Sequence, residues 1–82
     1  MTAAAEPARL HALVAEVLDL DPAAVTDEDG PATLPEWTSL RHLQLVVTLE
    51  EVYRVSFAYE EVRNVPTIGR LRTVLRAKGV PA

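Results

Sequence analysis

Eighty-two residues make one domain, residues 1–82, with a modest core and little material for an elaborate catalytic cavity. There is no cysteine, which removes disulfides, thiolate metal sites and a cysteine nucleophile, and only four aromatics stand among many Leu, Val and Ala residues, as in helix packing. The net charge of −4 divides into −7 over residues 1–40 and +3 over residues 41–82, an acidic front half that disfavours nucleic acid, while the later arginines are spread as on a solvated helical surface. The uncharged stretch Met1 to Ala5 is too short for a signal-peptide core or a membrane span, so a cytoplasmic protein without membrane attachment is expected. These features predict an all-α domain.

Pro7 suits a first helical turn, and Leu10, Leu13, Val14, Val17 and Leu18 follow at helical spacing as one apolar stripe. From Leu20 to Thr38 the periodicity stops, and Pro22, Gly30, Pro31 and Pro35 punctuate a long connection around the acidic run Asp27, Glu28 and Asp29. A loop of this length in so small a domain calls for a role, and Val25, Leu34 and Trp37 are expected to pin it to the core. A second helix is predicted from Ser39 to about Arg54, with Leu40, Leu43, Val46, Val47, Leu49 and Tyr53 as its apolar face. Val55, Phe57 and Tyr59 alternate like a strand, but a lone strand has no partner, so a loop leading to a short helix over Tyr59 to Arg63 is the better reading. Pro66 ends that segment. Thr67 can cap a last helix bearing Ile68, Leu71, Val74 and Leu75, with Gly79 as its stop.

The chain offers few catalytic or metal-binding patterns. His11 and His42 lack zinc-site spacing and read as packed or solvated residues. Asp27, Asp29, Gly30 and Glu36 fall at calcium-loop positions three, five, six and twelve, but position one is Val25 and two prolines interrupt the ligand-bearing backbone. Ser39, His42 and an acid could be named as a hydrolytic triad, yet there is no nucleophile-elbow glycine pattern and no room for an oxyanion hole. Ser39 itself has two readings. It can be a plain N-cap, or a point at which a phosphodiester would meet unsatisfied amides and the positive end of a helix dipole.

The run Trp37-Thr38-Ser39-Leu40-Arg41-His42-Leu43-Gln44-Leu45-Val46-Val47-Thr48-Leu49-Glu50-Glu51-Val52-Tyr53-Arg54-Val55 resembles the acyl carrier protein motif, in which a serine and leucine open an apolar helix that closes on Leu-Glu-Glu and an aromatic. Leu20-Asp21-Pro22-Ala23-Ala24-Val25 is similar to the family's first loop, and Val65-Pro66-Thr67-Ile68 to the approach to its last helix. The resemblance implies a four-helix bundle with a long loop between helices one and two and a short third helix. It also implies that a phosphopantetheinyl transferase joins a 4'-phosphopantetheine arm to Ser39, whose thiol carries acyl groups as thioesters, the chain itself being no enzyme. Leu40, Val46, Val47, Leu49 and Ile68 are then candidates to shelter the cargo.

Three features set this chain apart from the usual family pattern. Thr38 replaces an acid before the serine, Arg41, His42 and Gln44 occupy a helix start that is usually acidic, and Trp37 resembles free-standing carriers of natural-product pathways. Thr38, Leu40, Arg41, Gln44, Glu50 and Glu51 are the candidate docking residues. The implied partners are an acyl-loading enzyme and a ketosynthase or acyltransferase of a polyketide or related pathway, acting on a monomer, with poor service from housekeeping fatty-acid enzymes. A peptidyl carrier loaded by an adenylating enzyme, and an unmodified helical adaptor, remain as alternatives.

Overall fold

A computed structural model describes residues 5–82, with side chains from Ala8 onward. The expectations resting on Met1–Ala4 and on the Pro7 ring lie outside these. The protein is all-helical: α1 spans Ala5–Leu18, a single 3-10 turn Pro22–Ala24, α2 Ser39–Tyr53, α3 Tyr59–Val62 and α4 Ile68–Ala77. No helix among the described residues is long and apolar enough to cross a membrane.

The stripe on α1 packs as its spacing requires. Leu10, Val14 and Leu18 are fully buried, and Leu13 and Val17 pack partly against the same core. The helix ends because Asp19 turns left-handed (φ 60°) and the Leu20 amide folds back onto the Ala15 carbonyl at 2.8 Å. Two other helices stop in the same way. Arg54 (φ 56°) follows α2, with the Val55 amide on the Glu50 carbonyl, and Gly79 (φ 86°) follows α4, with the Val80 amide on the Leu75 carbonyl.

The interior face of α2 differs from the expected one. Leu45 and Leu49 are fully buried and Val46 and Tyr53 partly so, whereas Leu40, Leu43 and Val47 stand in solvent at 65%, 63% and 53% exposure. Apolar residues occupy almost every side of this helix, so spacing alone does not choose the inward one. Ile68, Leu71 and Leu75 of α4 complete the core. Thr67 caps α4 as expected, its side chain accepting from the Arg70 amide at 3.2 Å.

The long loop is a built element. Val25 and Trp37 are buried and Leu34 packs against the core, as expected of them. The carbonyls of Asp29 and Asp27 accept the Ile68 and Gly69 amides (2.8 and 2.9 Å), donors that every helix start leaves open. The Asp27 carboxylate takes two bonds from Arg72 (2.8 and 2.9 Å) and lies 2.6 Å from His11, tying α1, the loop and α4 together. Asp29 folds inward onto Thr26 and Thr33. The backbone presses closest at Gly30, where a Cβ would collide with the Pro66 carbonyl.

Candidate functional site

The start of α2 is set by two adjacent hydroxyl residues with different duties. Thr38 is extended (φ −82°, ψ 170°), its side chain accepts from the Arg41 amide at 3.2 Å, and its carbonyl accepts the first helical bond from His42 at 2.8 Å. Thr38 is therefore the N-cap, which corrects the reading of Ser39 as a cap. Ser39 is the first helical residue; it is exposed, and its hydroxyl makes no hydrogen bond among the described residues. With the cap supplied by its neighbour, Ser39 has no evident structural task.

Beside Ser39 runs an open groove of about 820 Å³, within the range of small-molecule sites. Its walls come from the loop, α2, α3 and the α3–α4 link, with Trp37, His42, Leu43, Tyr59, Arg63 and Val65 prominent. Leu40, Val46, Val47, Leu49 and Ile68, the expected shelter, do not line it. Leu49 and Ile68 are fully buried in the core, while Leu40 and Val47 point to solvent. Sequence reasoning missed His42, Tyr59, Arg63 and Val65. The available signal was local: Ser39, His42 and Leu43 stand three and four residues apart on one face of α2.

Trp37 is held under the serine by its side chain. It is 5% exposed, its indole stacks near the His42 ring, and its Nε1–H donates to His42 Nδ1 at 3.0 Å. His42 Nε2 is 2.5 Å from the Val62 carbonyl on α3. Both ring nitrogens are thus engaged, and neither is available as a base for Ser39. Among the described residues no carboxylate lines the groove, and Arg63, in contact with the Tyr59 ring at 5.8 Å, supplies its charge. The positive helix start and this arginine make the surroundings of Ser39 suited to an anionic substituent.

The docking candidates divide by what they touch. Arg41 is half-buried and its Nη1 donates to the Leu18 carbonyl at 2.7 Å, closing the C-terminus of α1 rather than projecting a free charge. Glu50 accepts from the Phe57 amide at 2.9 Å and holds the turn after α2. Thr38 is the cap. Leu40, Gln44 and Glu51 remain exposed, and Leu40 continues with Leu43 and Val47 as an apolar stripe on the outer face of α2.

No family model matches the chain, and no solved structure matches it. Among curated proteins, the polyketide-8 synthase acyl carrier protein 2 of Streptomyces avermitilis is 35% identical over 77 residues, which cover 94% of this chain and 88% of that protein. A similarity that spans nearly the whole of both sequences, on an all-helical bundle whose second helix opens with an unengaged serine, leads to one conclusion: the chain belongs to the acyl carrier protein family, and it is a carrier rather than an enzyme.

Proposed function

We propose that Ser39 is the attachment point of a 4'-phosphopantetheine arm and that the protein presents acyl thioesters to enzymes of polyketide or related biosynthesis. The observation that carries this reading is the division of labour at the head of α2: Thr38 caps, and Ser39 is left exposed with an unbonded hydroxyl. A phosphopantetheinyl transferase would join Ser39 Oγ to the arm's phosphorus as coenzyme A releases adenosine 3',5'-bisphosphate, the serine proton being lost. When bound, the arm supplies a thiol on which an acyl group rides as a thioester.

The residues around Ser39 suit that group. The first-turn amides of α2 and Arg63 face a monoanionic phosphodiester favourably, and no carboxylate among the described residues of the groove opposes it. The exposed stripe of Leu40, Leu43 and Val47, flanked by Gln44 and Glu51, is the surface offered to partner enzymes, with Arg41 and Glu50 shaping it from their internal bonds. The polyketide assignment takes its support from the curated relative's name. A cytoplasmic setting and a monomeric state fit the same role.

Incubation with coenzyme A and a broad-range phosphopantetheinyl transferase should add about 340 Da to the intact protein and nothing to Ser39→Ala. An unmodified wild type would favour the helical adaptor, and modification of Ser39→Ala would move the site. Loading by an adenylating enzyme with an amino acid would identify a peptidyl carrier instead.

A further inference from the structure

We propose that His42 is a positioning residue whose protonation state sets the groove beside Ser39: neutral, it ties the Trp37 loop to α3, and protonated, it drops the indole bond and loosens that tie. The tautomer follows from the chemistry of its two partners. An indole N–H only donates, so His42 Nδ1 facing Trp37 must carry a lone pair; a carbonyl only accepts, so Nε2 facing Val62 must carry the hydrogen. Both bonds therefore require one form, the neutral Nε2–H imidazole.

A second proton can enter only at Nδ1, where it would point at the Trp37 N–H. The acceptor is lost, two donors face each other, and an indole only 5% exposed has little water to replace its partner. Trp37 is the anchor of the loop that delivers Thr38 and Ser39, so loosening its indole shifts one wall of the groove.

The neighbouring charges do not rescue the imidazolium. From α3 and the residue that follows it, the Tyr59 ring and the Arg63 guanidinium line the groove, while Glu61, next to Val62, is bound by Lys78 at 2.9 Å. On α2, Arg41 is bonded to the Leu18 carbonyl. From the loop, Glu36 precedes Trp37 but is exposed and absent from the groove lining. Among the described residues His42 therefore has no carboxylate partner of the kind Asp27 gives His11. Ser39 and His42 stand one helical turn apart on the same groove, so the device would govern how freely a tethered arm and its cargo enter it. That consequence rests on the Ser39 assignment; the latch itself does not.

The test uses the unmodified protein and nuclear magnetic resonance of the His42 ring carbons and the Trp37 indole N–H between about pH 8 and 5. The expected result is the Nε2–H tautomer at high pH, then an upfield shift of the indole proton in step with His42 titration. His11→Gln should keep that shift. His42→Gln should abolish it while retaining the helical circular dichroism; should that variant unfold, the wild-type and His11→Gln spectra decide alone. An Nδ1–H tautomer at high pH, or an indole resonance that stays put while His42 titrates, overturns the proposal. Phosphopantetheinylation, measured separately by mass, would fail without disturbing any of these signals if only the carrier assignment were wrong.

Discussion

The two ends of the long loop are fixed by different forces. Its front, Thr26 to Gly30, is held by polar bonds: the Asp27 carboxylate on Arg72 and His11, and two loop carbonyls on the open amides of α4. Its rear, Leu34 to Thr38, is held by burial of Trp37 and Leu34 and one N–H···N bond to a neutral imidazole. The front sits partly in water, with the Asp27 side chain 43% exposed, so its bonds are screened; the rear depends on the packing of one buried side chain, Trp37, between exposed neighbours. A loop of this kind can be firm at both ends and still respond to different conditions at each.

Gly30, the last residue of the front, is where the comparison breaks most completely. A Cβ there meets the Pro66 carbonyl, backbone against backbone, and no side-chain rotation relieves it. Gly30→Ala should cost about 3–5 kcal/mol and shift the denaturant midpoint sharply. A midpoint within error of wild type would mean that the loop slides over the α3–α4 link freely.

At the rear, Trp37→Ala should cost about 3 kcal/mol, the usual scale for emptying a buried aromatic site. A loss much smaller than the one from Gly30→Ala, and closer to that of a surface change, would show that the rear is held by its backbone bonds instead.

The front should give the smallest effect and the clearest pH signature. Bonds from Arg72, aided by His11, lower the Asp27 carboxyl from an ordinary 3.8 to about 2. A carboxyl depressed in the folded state stabilises above its unfolded value, and that contribution disappears as pH falls from about 4 to about 2. Allowing for solvent screening, the loss is about 1 kcal/mol. Urea melts of wild type and Asp27→Asn should differ at pH 6 and converge towards pH 2. Parallel curves would place the acid response on other carboxylates.

Much of this design was legible from residues and some was not, for physical reasons. Thr67 and Gly79 announce the ends of α4 because a cap hydroxyl and a left-handed glycine are the only economical solutions there. Asp19 and Arg54 adopt the same left-handed turn with no glycine to advertise it, so those ends rested on where the periodicity faded. On α2 the apolar residues encircle the helix, and Leu45 could not be told from Leu43 until the neighbouring helices were in place. The serine was visible through its motif, but its freedom was not: Ser39 read as a possible cap until the extended backbone of Thr38 showed that its neighbour takes that duty. Five of the twelve groove residues, Tyr59 and Arg63 to Pro66, lie more than fifteen positions beyond α2's start, which local spacing does not reach.

The brevity of α3 has a kinetic consequence. Four residues make barely one turn, too few to be stable alone, and beyond the buried Val62 side chain its fixings are few: Glu61 to the Ala58 amide at 2.7 Å, Lys78 to Glu61, and the Val62 carbonyl to His42. Such a segment opens by itself, far more cheaply than the whole bundle unfolds, and its amides should exchange with deuterium well before those of α1 and α4. One wall of the groove beside Ser39 is thus a segment that can be unmade and remade locally, so a bulky group could be admitted or let go through local melting while the rest of the fold stays intact.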